Sequence, residues 1–226
     1  CMCCCTSSMV EHYIDYSAEV YGWYLALTTD SNTAVDFIDE DALLEPATLA
    51  AYSVIVVTQP NVPESGAAAL RDWAKGGGTL IRVSGAAVAD EYDTPSGTID
   101  TAAGVRENRR DRIALLSETD PSVGQPGGLP QQNGSASVAG TTVRFTARAA
   151  VGKLSPAKGS AAERAGEGPS QSQSLRHLAT FDDGSPAITA NAVGSGQVVH
   201  FAWLPGLSYW YSAACTEIPG TSPPAC

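Results

Sequence analysis

The chain has 226 residues, enough for one large domain or two small ones, and its 43% apolar content can bury a core, which excludes wholesale disorder. Its formal net charge of -11 repels nucleic acid and anionic lipid, so neither is expected as a partner. No apolar run reaches the roughly 20 residues of a membrane-spanning helix, and no basic–apolar–small leader opens the sequence. The first residue is Cys1, not Met, as in a processed chain or a piece of a longer one.

Residues 1–6 read as a buried strand. Adjacent cysteines on an extended strand point to opposite faces, so Cys1, Cys3, Cys4 and Cys5 have the wrong spacing for a tetrahedral metal site and serve as small apolar residues. Thr6, Ser7 and Ser8 offer an N-cap for a helix over 9–27. Its apolar positions recur at spacings of three and four, among them Tyr13, Val20, Tyr21, Trp23, Tyr24 and Leu27, as a helix packed on a sheet requires. At that spacing the aromatic stripe is expected in the core rather than as a sugar platform.

Residues 33–38 read as a second strand, and the acidic run Asp39-Glu40-Asp41 suits a solvated helix N-terminus. Residues 53–58 form a short β-branched run without polar alternation, the pattern of a parallel strand buried on both faces. A helix over 64–75 follows, with Ala68, Leu70, Trp73 and Ala74 apolar, stopped by Gly76-Gly77-Gly78. A strand over 79–83 comes next. Alternating strands and helices with short connections predict an α/β, flavodoxin-like, mainly parallel sheet with helices on both faces and right-handed crossovers. Ligands of such sheets bind beyond the C-terminal strand ends, here Ser7/Ser8, Ile38/Asp39, Gln59/Asn61 and Ser84/Gly85.

The turn after 79–83 is where many α/β enzymes carry a nucleophile between spaced glycines. Here it reads Ser84-Gly85-Ala86-Ala87, with no thiol, and Ser84 lacks the elbow's glycine spacing. The acidic loop Asp90-Glu91-Tyr92-Asp93 follows, and Ser84, Asp90, Glu91 and Tyr92 form a candidate ligand-binding rim. Asp90, Glu91 and Asp93 could supply a carboxylate pair for glycoside chemistry or oxygens for a hard cation. On an acidic loop, a solvated turn explains them as well, and their spacing matches no EF-hand.

Residues 120–136 read as a Pro/Gly/Gln-rich connector. It contains the acceptor pattern Asn133-Gly134-Ser135, which makes Asn133 a glycosylation candidate. From 137 the period changes to two. Strands are expected around 142–148, 175–181, 186–193 and 197–203, the last three forming a C-terminal antiparallel meander with turns at Asp182-Asp183-Gly184-Ser185 and Gly194-Ser195-Gly196. Residues 155–174 are a flexible Ser/Gly/Ala-rich excursion. Pro205 opens a last helix to Ala214. Cys215 and Cys226 bracket a Pro/Gly-rich tail and are disulfide candidates. A bond between them would staple the tail and imply an oxidising compartment.

Residues 52–57, the helix with Trp73, Gly76-Gly77-Gly78-Thr79-Leu80-Ile81, Asp90-Glu91-Tyr92, Gly194-Ser195-Gly196-Gln197-Val198-Val199 and Leu204-Pro205-Gly206-Leu207 together resemble the class I glutamine amidotransferase-like fold. The nearest version is the trimerisation domain of family-42 β-galactosidases and related carbohydrate-associated bacterial proteins. The resemblance implies one domain over 1–226, with a parallel α/β part (1–119), the connector (120–136) and a β-rich part (137–226). Catalytic amidotransferases carry a Cys at the elbow and a late His-x-Glu pair. Here the elbow has no Cys, and His200 is followed by Phe201-Ala202, so no catalytic residue carries over, and neither a metal nor a cofactor is implied. The resemblance implies instead a non-catalytic role in structure or assembly as a homo-oligomer or polymer, with carbohydrate as a partner class. The low charge, the many Ser, Thr and Gly residues and the candidate Cys215–Cys226 bond suit an extracellular or periplasmic location. His12 and His177 complete the histidines, and no spacing ties them to a thiol.

Overall fold

The computed structural model describes residues 2–4, 13–107, 131–148, 154–157 and 175–214. Residues 120–130 of the expected connector, residues 158–174 of the excursion, Cys1, Cys5, the expected cap at residues 6–8, His12, Cys215 and Cys226 lie outside them.

In chain order the elements begin with β1 (Met2–Cys4), α1 (Tyr13–Leu25), a π-helical turn (Ala26–Asp30), β2 (Phe37–Asp39), α2 (Pro46–Ala50), β3 (Val54–Val57), α3 (Glu64–Lys75) and β4 (Thr79–Arg82). They continue with α4 (Thr98–Ala103), β5 (Val105–Arg106), β6 (Gln131–Val138), β7 (Thr141–Arg148), β8 (Ser155–Pro156), β9 (Arg176–Phe181), β10 (Pro186–Val193), β11 (Gly196–Phe201) and α5 (Pro205–Ala214). Pro46 opens α2 and Pro205 opens α5, at the first helical position, where a missing N–H costs nothing.

The main sheet has nine strands in the order β2-β1-β3-β4-β11-β10-β9-β6-β7, and β5 pairs with β8 in a separate ribbon. The five strands from β2 to β11 run parallel. Those from β11 to β7 are joined antiparallel. The sheet is therefore mixed, which corrects the expectation of a mainly parallel, flavodoxin-like sheet. The reason is that β11, the last strand of the expected meander, pairs parallel with β4 and joins the meander to the parallel strands in one sheet, which residues 131–136, expected in the connector, extend as the first part of β6 between β7 and β9. β6 turns into β7 at Ala139-Gly140, both with positive φ (49° and 81°), the two-residue hairpin geometry that matches strand twist.

The central strands are buried as their composition demands: Ile55, Val57, Leu80 and Val198 are inaccessible and share a core with Leu70 of α3 and Ile99 of α4. Across the sheet, Trp23 of α1 meets Phe201 edge-on at 5.9 Å. A second cluster, centred on Trp203 stacked on Phe145 at 4.8 Å, fills the space over the antiparallel half. The aromatic stripe of α1 is only partly core, however. Trp23 is half-buried, but Tyr21 is 58% and Tyr24 38% exposed.

α1 and α5 clasp each other. A Cβ on Gly22 would overlap the Gly206 carbonyl, and one on Gly206 would overlap the Glu19 carbonyl, so this crossing requires glycine on both helices. Glu19, fully buried, accepts hydrogen bonds from Trp23 Nε1 (2.8 Å) and from the Leu207 N–H (2.6 Å) in the first turn of α5. Its carboxylate thus satisfies a donor that has no partner within the helix.

Candidate functional site

The turn after β4 is sharply bent. Gly85 and Ala87 take positive φ, 71° and 49°. For alanine, the left-handed region costs about 1 kcal/mol. The surrounding backbone holds it there: Ala87 N–H donates to Gln59 O at 2.8 Å, Val88 N–H to Pro60 O at 2.9 Å and Ser84 N–H to Trp203 O at 3.2 Å. All residues from Val83 to Ala89 are buried. The turn is thus tight and strained, and Gly85, Ala86 and Ala87 at its centre carry no nucleophilic side chain.

Below it sits a buried charged cluster. Arg82, on β4, is inaccessible in a strand where every other buried position is apolar. Its Nε donates to Ala86 O at 2.8 Å, and its Nη1 lies 2.6 Å from Asp100 Oδ1 on α4. Exposed Arg106 approaches the other Asp100 oxygen at 3.9 Å. Glu107, just beyond β5, accepts the Gly85 N–H with one oxygen and lies 3.3 Å from His200 Nε2 with the other. Register places Arg82 opposite His200, and His200 opposite Thr189, so these three buried residues form one row across β4, β11 and β10. In a buried ion pair the cost of desolvating both charges offsets much of their attraction, so the pair adds little net stability, whereas removing one partner alone is costly.

Ser84 is fully buried on this floor, its Oγ without a hydrogen-bond partner among the described residues. It is not on an open rim with Asp90, Glu91 and Tyr92. Those three lie on the loop above, and two of them brace it. Asp90 Oδ1 accepts the N–H groups of Tyr92 (2.9 Å) and Thr94 (2.7 Å), an Asx-type turn. Glu91 accepts the Glu64 N–H at 3.2 Å at the N-terminus of α3, where the helix dipole favours a carboxylate. Asn61 Nδ2 ties Asp93 Oδ1 (3.1 Å) and Asp90 O (3.0 Å) together. Tyr92 points outward, 81% exposed.

Asn133 lies within β6, paired with Thr146, whose hydroxyl donates to Asn133 Oδ1 at 2.9 Å. It lines a cavity of about 270 Å³ with Gly134, Arg144, Phe145 and Thr146. His177 is exposed on β9. No group of three or more His, Cys, Asp or Glu side chains among the described residues is arranged to hold a metal ion. No described helix is long and apolar enough to cross a membrane. Sequence reading passed over Arg82, Asp100 and Glu107. The available signal was Arg82 itself, a charge in an apolar strand run, which must find a buried partner.

No family model matches the sequence, and no curated protein sequence matches it. Solved structures do. A β-galactosidase from Bacillus circulans sp. alkalophilus superposes with a TM-score of 0.60 at 16% identity, covering 94% of this chain and 30% of that one. A β-galactosidase from the haloarchaeon Halorubrum lacusprofundi gives 0.56 at 19% identity, over 94% of this chain and 29% of that one. A ThuA-like protein from Bacteroides uniformis gives 0.53 at 10% identity, over 93% of this chain and 89% of that one. The chain has the class I glutamine amidotransferase-like fold. It spans less than a third of the length of these β-galactosidase chains and most of the ThuA-like one. The Arg82–Asp100 and Glu107–His200 pairs lie against the bend after β4, Arg82 donating to Ala86 O and Glu107 accepting the Gly85 N–H.

Proposed function

We propose that this chain is a non-catalytic amidotransferase-like domain with a structural or oligomer-assembly role in a carbohydrate-associated protein. The observation that carries the reading is the elbow: Gly85, Ala86 and Ala87 offer no nucleophile, and the residues around them are buried. The fraction of the β-galactosidase chains that this chain matches supports a role as one part of a larger protein. A low content of charged residues, 16%, and a Ser/Thr/Gly-rich surface suit an extracellular or periplasmic location. The test is the mass of the native particle by light scattering after size exclusion, with and without reductant, alongside amidase and glycosidase assays. A defined homo-oligomer without turnover is expected. A monomer that hydrolyses an amide or glycoside would overturn the reading.

A second reading, a hydrolase at the strand ends, is favoured by the Glu107–His200 pair lying on the same floor as Ser84. Under it Ser84→Ala abolishes a measurable turnover that Asp90→Ala leaves intact. A third, a sugar-binding rim, is favoured by the outward Tyr92 alone. Under it Tyr92→Ala removes binding across a glycan panel.

A further inference from the structure

The stripe of rings on α1 that periodicity assigns to the core is continued on the surface. Tyr21 packs against Trp210 of α5, with ring centroids 6.0 Å apart, and Tyr24 against Phe37 of β2, 5.7 Å apart. Tyr21 and Tyr24 are three residues apart and so neighbours on one helical face. Through Tyr21 and Tyr24 the two ring pairs adjoin along α1, one reaching α5 and the other the edge strand β2. Tyr21, Tyr24 and Phe37 remain 58%, 38% and 49% exposed, and large apolar rings left clustered in water mark a contact surface.

Charge tells what would cover it. Residues 1–70 carry ten Asp and Glu and no Lys or Arg, and all 13 Lys and Arg lie between Arg71 and Arg176. Beside the rings stand exposed Asp30, Asp36 and Asp39. Asp30 accepts a hydrogen bond from Tyr209, which raises that phenol's pKa; Asp36 accepts one from Tyr52, whose pKa is raised first by burial and then by the Asp36 charge and bond. Asp39 accepts the Ala42 N–H at 2.9 Å. These carboxylates are held in place while facing solvent, and no Lys or Arg of the first 70 residues is present to neutralise them. Aromatic faces beside fixed carboxylates suit a cation with an apolar stem. Arginine fits best, since its guanidinium stacks on rings and pairs with carboxylates in a planar fork.

We propose that the strip of Tyr21, Tyr24, Phe37 and Trp210, with the carboxylates of Asp30, Asp36 and Asp39, docks an Arg/Lys-bearing segment of a partner protein. This surface is separate from the elbow, and the proposal stands whether or not the domain is catalytic.

The test is fluorescence anisotropy of labelled octa-arginine with the whole chain. The variants are Tyr21→Ala, Tyr24→Ala, Asp30→Asn and, as a charge control on the distant β9–β10 turn, Asp182→Asn, with folding checked by circular dichroism. Tyr24→Ala and Asp30→Asn are expected to weaken binding about tenfold. Tyr21→Ala, at the most exposed ring, should weaken it in the same direction, and Asp182→Asn should change it by less than about twofold. A loss in Asp182→Asn equal to that in Asp30→Asn would reduce the effect to net charge and overturn the proposal. So would unchanged binding in both tyrosine variants. A neutral hexasaccharide that binds the wild type and is lost in Tyr24→Ala would make the occupant a glycan. Self-association of the wild type that Tyr24→Ala abolishes would make it a second copy. Either outcome also overturns the proposal.

Discussion

Asp100→Ala removes the carboxylate that lies 2.6 Å from Nη1 of the Arg82 guanidinium. Arg82 is wholly inaccessible and Asp100 is 6% exposed, so no water replaces the lost partner cheaply. Breaking such a pair typically costs about 3–5 kcal/mol, much of it the cost of leaving a charge buried alone. Against a total stability of about 5–15 kcal/mol for a folded domain, that is a large share. For a chain of this size each kcal/mol moves the melting point by about 2–4 °C, so the variant should melt about 10 °C lower. The partner change separates pairing from packing. If the penalty is the orphaned cation, Arg82→Met/Asp100→Ala regains most of the loss, because a neutral chain of similar length fills the space without needing a counter-charge. Thermal and urea unfolding followed by circular dichroism measure both. A loss below about 1 kcal/mol for Asp100→Ala, or a double variant no more stable than the single one, would refute the argument.

Gly206→Ala should cost about 2 kcal/mol or more, because the added methyl meets the Glu19 carbonyl and α1 cannot retreat without losing the Leu207–Glu19 bond. Denaturant midpoints would show it, and a neutral result would contradict the close crossing. Asp72 accepts hydrogen bonds from Arg71 and Lys75, which lower its pKa to about 2. A depressed carboxylate contributes stability that is complete above its unfolded value near 4 and is lost as pH falls through 2. As Asp72 is exposed, the contribution is small. The direct check is NMR titration, whose Asp72 midpoint should rise in Arg71→Ala.

Much of the parallel half was legible in the sequence. β3 is an unbroken Val/Ile run, and α3 and β4 follow a clean change of period bounded by Gly76-Gly77-Gly78. β6 was not, because Gln131-Gln132-Asn133-Gly134-Ser135 has the composition of a loop. It is extended because β7 and β9 flank it, and Gly134 is required there: a Cβ would stand 2.6 Å from the Phe145 ring and 2.7 Å from Thr180 O. That is tertiary context overriding propensity. The tight turn after β4 was legible from Gly85, whose φ is +71°. The buried polar pairs under it were not, since Arg82 and Asp100 stand 18 positions apart and Glu107 and His200 stand 93 apart. Only the fold brings them together.

The clasp between α1 and α5 joins residues 188 positions apart. During synthesis the N-terminal helix emerges long before the helix whose first turn its Glu19 completes. Until α5 leaves the ribosome, Glu19 and Trp23 have no docking site and the crossing at Gly22 stays open. Contacts this distant in sequence form slowly, because a long loop must close before they stabilise anything. Nascent chains stopped short of residue 207 should therefore hold α1 undocked, available to chaperones and proteases, and the clasp should close as one of the last events of folding.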